Sequence, residues 1–220
     1  MRDWYVRWGK RALDCVASTV GLIVLGPFLL VLGLAIRLTS RGPALFGHLR
    51  VGRGGKLFHT WKFRSMIAGA DKLGPSVTAS DDPRITGFGR FLRKWKLDEL
   101  PQLWNVLRGD MSLVGPRPEV PSYVAHFNEE QRKVLSVRPG ITDPASIAFR
   151  NEEELIASAG TQKHYYQNVI LPAKLQLSLA YIDRLCLKTD LLLILQTVSV
   201  LRIARNAQNY QNHELSPLKD

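Results

Sequence analysis

Two adjacent carboxylates, Asp98 and Glu99, stand in the stretch KLDELPQL, in a chain that is otherwise strongly basic. Thirty Lys and Arg face nineteen Asp and Glu, a formal net charge of +11, so the favoured partners are anions. A carboxylate can attack phosphorus covalently, and a neighbouring carboxylate can hold Mg²⁺ on a diphosphate. Lysine and arginine can steady phosphate oxygens as charge shifts. Candidate cations for that work are Lys62, Arg64, Arg90, Arg117 and Arg138. The plainer account is an acidic helix cap, which explains Asp98 but leaves Glu99 surplus.

The elements that must position these groups are readable as patterns. Leu100, Leu103, Trp104 and Leu107 follow the i, i+3, i+4, i+7 spacing of a half-buried helix. Pro101 is tolerated in its first turn and Gly109 ends it. Asp98 and Glu99 therefore sit at or just before a helix N-terminus, where backbone N–H groups and the dipole favour anions such as phosphate. GFGRFLRKWKL, just upstream, also reads as helix. Between Leu45 and Met66 the pattern alternates around Gly52-Arg53-Gly54-Gly55, predicting a β-hairpin with a glycine turn. Alternation puts Lys62 and Arg64 on one face of its second strand; a solvated strand face is the competing explanation. The glycines lack the spacing of a phosphate-binding loop.

Residues 67–86 read as loop or short helix, and MSLVGPRPEVPSYV and VRPGITDP as proline-rigid loops bearing Arg117 and Arg138. LPAKLQLSLAYIDRL and TDLLLILQTVSVLRIAR read as amphipathic helices that pack on the domain or lie at a membrane surface. The polar tail from Asn206 reads as disordered. Cys15 and Cys186 are far apart and apolar in context, which argues against a disulfide framework or a zinc site and fits a reducing, cytoplasmic setting. The five histidines lack metal-type spacing.

Residues 16–36 form an uncharged apolar run, about 31 Å long as one straight helix. A signal peptide fits poorly, since the run is long and no A-x-A-like site follows. A spanning helix would show unequal basic flanks, yet Arg2, Arg7, Lys10 and Arg11 precede the run and Arg37, Arg41, Arg50, Arg53 and Lys56 follow it. Gly26-Pro27 at its middle predicts a kink or break. The expectation is a re-entrant helix-break-helix that enters and leaves on one face, with Trp4, Tyr5 and Trp8 at headgroup level.

The ordered segments KRALD, SRGPALF, RVGRGGKLF, KFRSM, DPRITGFGRFLRK, LDELPQLWNVLRGDMSLVGPRPE and RPGITDPASI resemble the bacterial sugar transferases, the monotopic phosphoglycosyl transferases. The C-terminal LPAKL and the pair Tyr181 and Asp190 extend the likeness. The resemblance implies transfer of a sugar 1-phosphate from a nucleotide diphosphate sugar, a UDP-sugar first, to polyprenyl phosphate, with Mg²⁺ and a covalent intermediate. It casts Asp98 as nucleophile, Glu99 as metal ligand, and Lys62, Arg64, Arg90, Arg117 and Arg150 as phosphate or nucleotide contacts. His48, Trp95-Lys96 and Gly26 depart from the family pattern.

The combined expectation is a mostly helical α+β protein: a membrane segment over residues 1–40, a cytoplasmic catalytic domain with a hairpin over 41–205, and a tail over 206–220. Partners would be membrane lipids and the two substrates, without nucleic acid, at the cytoplasmic face of a bacterial inner membrane. A non-catalytic basic membrane-surface module is the alternative, but it has no use for Asp98-Glu99. A CDP-alcohol transferase would need its own acidic helical motif, which is missing.

Overall fold

The computed structural model describes residues 4–70, 73–74, 78–157 and 162–202; the tail expected from Asn206 lies outside them. Helix α1 (Tyr5–Thr39) opens with one π-helical turn and carries the apolar run. Strands β1 (Leu45–Val51) and β2 (Leu57–Phe63) form the expected antiparallel hairpin, pairing Leu45 with Phe63 and Val51 with Leu57. Gly54 and Gly55 take positive φ in its turn, the conformation for which glycine is suited. Helix α2 (Gly87–Lys94) is capped by Thr86, whose hydroxyl accepts from the Gly89 N–H.

A 3₁₀ turn (Leu97–Glu99) leads into α3 (Gln102–Arg108), which Gly109 ends at φ 90°. Strand β3 (Ser112–Val114) pairs in parallel with β4 (Gly140–Thr142). Here Gly115 and Gly140 approach so closely that a Cβ on Gly140 would overlap the Gly115 backbone. Beyond them come α4 (Glu152–Ala157), α5 (Leu171–Asp183) and α6 (Leu187–Arg202). The main apolar cluster gathers Phe127, Val134, Ile156, Ile170 and Leu175 behind the hairpin, so the fold is α+β and mostly helical.

The break expected at Gly26-Pro27 is absent: helical backbone runs through both residues. Proline removes one N–H and crowds one turn, while the apolar residues on either side keep their own hydrogen-bond ladder, and a Cβ on Gly26 would meet no neighbouring element within 4 Å. In the most apolar window of α1 only 11% of residues are buried. Ile23, Val24, Leu30 and Leu38 are among its exposed side chains, a pattern foreign to the core helix of a water-soluble domain. The helix is long and apolar enough to cross a membrane.

Yet both ends of α1 are fastened to the same folded body. Near the start, Lys10 and the Tyr5 hydroxyl donate to Asp190 on α6, which also accepts from Tyr181 at 2.7 Å. Arg11 donates to the carbonyls of Val106 and Leu107 at the end of α3. Asp14 accepts from the Ser112 hydroxyl and the Leu113 N–H, both at 3.0 Å. At the far end, Leu32 and Ile36 pack with Phe63 and Leu92. KRALD and the Tyr181–Asp190 pair are thus anchoring motifs. Those polar partners make α1 a built-in element; removing it would leave Asp190 and Ser112 short of their bonds, which weighs against a cleaved signal. Asp190→Ala strands Lys10 and two tyrosine hydroxyls, so it should destabilise the protein by about 3–5 kcal/mol. Denaturant unfolding in detergent micelles, followed by tryptophan fluorescence, measures it.

Candidate active site

The site is assembled on β2, the 3₁₀ turn and the loop after β3. Asn105 of α3 acts as a surrogate strand against β2: its Oδ1 accepts from the Trp61 N–H at 2.9 Å and its Nδ2 donates to the His59 carbonyl at 2.8 Å. That clasp fixes the hairpin against the turn that carries Asp98 and Glu99. Lys96, at φ 54°, is a left-handed residue that swings the chain out of α2 and into the turn. On the other side, the Gly115 and Gly140 N–H groups bond to Thr142 and Pro116 carbonyls, which aims the 116–119 loop at the turn.

These parts converge on Glu99. Lys62 Nζ donates to Oε1 at 2.6 Å, Arg117 Nη2 donates to the same oxygen, and Arg117 Nη1 donates to Oε2 at 3.2 Å. Burial alone would raise the Glu99 carboxyl, but Arg117 and Lys62 overcome it and hold the group well below the usual carboxylate range. Reciprocally, Glu99 raises Arg117, while burial lowers Lys62 despite Glu99 beside it.

Asp98 is the opposite case. It is 7% exposed, its Oδ1 has no hydrogen-bond partner, and burial together with the Glu99 charge pushes its carboxyl up, with Lys62 pulling the other way. Two neighbouring carboxylates with environments that drive them apart make a division of labour: one locked as an anion, one left with an open oxygen.

Both face a cleft of about 370 Å³. Of the six cations expected to contact substrate, Lys62, Arg64 and Arg117 line it; Arg90, Arg138 and Arg150 are not among its lining residues. Arg90 is exposed on α2. Arg138 donates to the Gly109 carbonyl at 3.1 Å, at the end of α3 away from the dyad. Arg150 is half-buried between the β4 region and α4.

The far wall of the cleft escaped the motif reading. Tyr166 donates to Glu119 at 2.9 Å, Lys174 donates to Glu152 at 2.7 Å and lies 3.8 Å from Glu119, and Arg50 lies 3.7 Å from Glu119. Lys174 holds the Glu152 carboxyl down against the burial that raises it. A signal existed: Lys174 interrupts an otherwise apolar helix face in LPAKLQLSL, and a lysine that is 4% exposed needs acidic company.

Fold and site together define a membrane-associated α+β protein with a cationic cleft around an unequal carboxylate pair. Residues 5–203 match the sequence profile of the bacterial sugar transferases, and the chain belongs to that family. It is 39% identical to an undecaprenyl-phosphate galactose phosphotransferase of Salmonella typhimurium over 74% of this chain and 37% of the relative. It is 37% identical to the exopolysaccharide production protein ExoY of Sinorhizobium fredii over 81% of this chain and 85% of the relative. It is 44% identical to a UDP-glucose:undecaprenyl-phosphate glucose-1-phosphate transferase of Escherichia coli over 67% of this chain and 32% of the relative. The chain thus spans about a third of the length of two of these relatives and most of the third.

Because the folded-state carboxyl of Asp98 is raised, its ionisation opposes folding, and stability is lost as pH rises through that value. Asp98→Asn should therefore raise Tm at pH 7.5 by about 2–4 °C, equivalent to about 1 kcal/mol. The gain should vanish below pH ~4, where the carboxyl is protonated in both states. Differential scanning fluorimetry across that range checks both the size and the sign.

Proposed function

We propose that the protein transfers a sugar 1-phosphate from a UDP-sugar to undecaprenyl phosphate, the first step in assembling a membrane-linked glycan. The observation that carries this reading is the unpartnered Asp98 oxygen beside a Glu99 clamped by Lys62 and Arg117. The names of the Salmonella and Escherichia coli relatives supply the substrate classes.

In the first half-reaction an Asp98 carboxylate oxygen attacks the sugar-bearing phosphorus. A P–O bond forms to Asp98, the P–O bond to the nucleotide breaks, and a nucleoside monophosphate leaves with the electron pair. Lys62 and Arg117, beside Asp98 on Glu99, are the cations that would steady the departing charge. In the second, the lipid phosphate attacks the same phosphorus and Asp98 leaves as carboxylate.

Three of the roughly four lone-pair positions of Glu99 are engaged by Lys62 and Arg117, leaving one on Oε2. Among the described residues no three His, Cys, Asp or Glu side chains gather as a metal site. The free Oε2 position fits Mg²⁺ held by Glu99 and substrate phosphates, the ion's usual mode at nucleotides. Bound there, Mg²⁺ would neutralise charge on the diphosphate.

The anchoring of α1 supports a one-sided membrane disposition. A spanning helix would carry its two ends to opposite faces of a hydrocarbon layer about 30 Å thick, whereas both ends of α1 join one body. A re-entrant, one-sided seating on the cytoplasmic face, with Pro27 within the helix, satisfies that constraint.

Asp98→Asn should lower nucleoside monophosphate release by about three orders of magnitude or more, and intact-protein mass spectrometry should lose the phosphosugar adduct found on the native chain. A panel of UDP-sugars with undecaprenyl phosphate identifies the donor. Retained turnover in the Asn form would overturn the assignment. Lys62→Gln removes a cation that lowers Asp98, so the acid limb of single-turnover release should move to higher pH.

A further inference from the structure

One end of the cleft is not used by the donor chemistry. Lys62 and Arg64 point to the same side of the β2 segment, about 7 Å apart, and both line the cleft. Lys62 is committed to Glu99. Arg64 is 7% exposed, and its Nη2 donates to the Ser40 carbonyl at 2.7 Å and hydroxyl at 2.8 Å. Its Nε and Nη1 are buried without any acceptor. Among the described residues no carboxylate forms an ion pair with it; the carboxylates of the cleft are engaged elsewhere or, in Asp98, left open. A buried guanidinium with two open nitrogens is costly unless an anion completes it.

The surroundings specify the anion's other end. Beside Arg64 the cleft turns apolar at Pro43, Leu45, Phe46, Met66 and Ile67, and Leu45, Phe46 and Ile67 are exposed. This lip directly follows α1, whose C-cap is Ser40. Gly42, at φ +119°, lays its backbone over Arg64 Nη1, where any Cβ would overlap that nitrogen. An unsatisfied cation, an apolar wall and the emergence of the membrane helix meet at one point. A UDP-sugar has no group that wants an apolar lip at a membrane surface; a phosphate monoester on an isoprenoid tail has both ends that the place asks for.

We propose that Arg64 and the lip of Pro43, Phe46 and Ile67 receive the lipid acceptor, the guanidinium holding the terminal phosphate while the first isoprene units lie on the lip. This rests on the sugar-1-phosphate transfer reading. Binding there requires the Gly42 backbone to move off Nη1, and Arg64 would then present the phosphate two residues along the β2 segment from Lys62. The dianionic lipid phosphate then attacks the phosphorus held on Asp98. A P–O–P bond forms, the Asp98 oxygen–phosphorus bond breaks, and the carboxylate departs with the electron pair, so no proton need move.

The test separates the half-reactions on the full chain in lipid nanodiscs. With the UDP-sugar that the panel selects, Arg64→Gln should form the Asp98 adduct and release one equivalent of nucleoside monophosphate within about threefold of the native rate. Discharge of that adduct by a short-chain polyprenyl phosphate should slow about 100-fold or more, with partial recovery in Arg64→Lys. Ile67→Asp, on an exposed side chain, should raise the KM for the lipid about tenfold while leaving adduct formation unchanged. Inorganic phosphate should compete far more weakly than the short-chain lipid; equal competition would remove the lip from the assignment. If both Arg64 variants slow adduct formation as much as discharge, or Ile67→Asp leaves the lipid KM unaltered, the proposal falls. Failure of the native chain to form any adduct would instead sink the transfer reading itself.

Discussion

The contact between Glu99 and the two cations Lys62 and Arg117 is the constraint on which the site depends. Three separately folded pieces meet there: the second hairpin strand, the 3₁₀ turn and the 116–119 loop. Each arrives by its own device, the Asn105 clasp for the strand, the left-handed Lys96 for the turn, and the tight Gly115–Gly140 approach for the loop. Ion pairs removed from water pay heavy desolvation and are retained where placement matters more than stability. Here placement sets the charge state of the neighbouring carboxyl.

With Glu99 held as an anion by Lys62 and Arg117, Asp98 is left beside a fixed negative charge, without a hydrogen bond to Oδ1. Oδ1 lacks the hydrogen bond that would steady it as an anion, and burial adds to the upward push on the carboxyl.

The membrane helix is part of this architecture. Its polar first turns bond to α3, β3 and α6, while Leu32 and Ile36 join the cluster that includes Phe63, the residue between Lys62 and Arg64. The apolar helix and the cleft therefore share residues, and a change in one is transmitted through packed contacts to the other.

Local patterns by themselves determined the hairpin, the helix after Pro101, its stop at Gly109 and the apolar first helix, because each rests on a periodicity or a turn residue that needs no distant partner. The dyad and the cations Lys62 and Arg117 were also legible, as an acidic pair and basic loops whose residue types suit phosphate chemistry. Only the tertiary structure decided which arginines reach the cleft. Arg138 caps the far end of α3 and Arg90 faces away, a matter of chain path that no spacing encodes. It also supplied the far wall, Glu119, Glu152, Tyr166 and Lys174, whose members lie up to 55 positions apart in sequence and become neighbours only when the core closes. The continuity of α1 through Pro27 is of the same kind: a local rule predicts a break, but a ladder of hydrogen bonds on both sides of one missing N–H, with packing at each end, outweighs it.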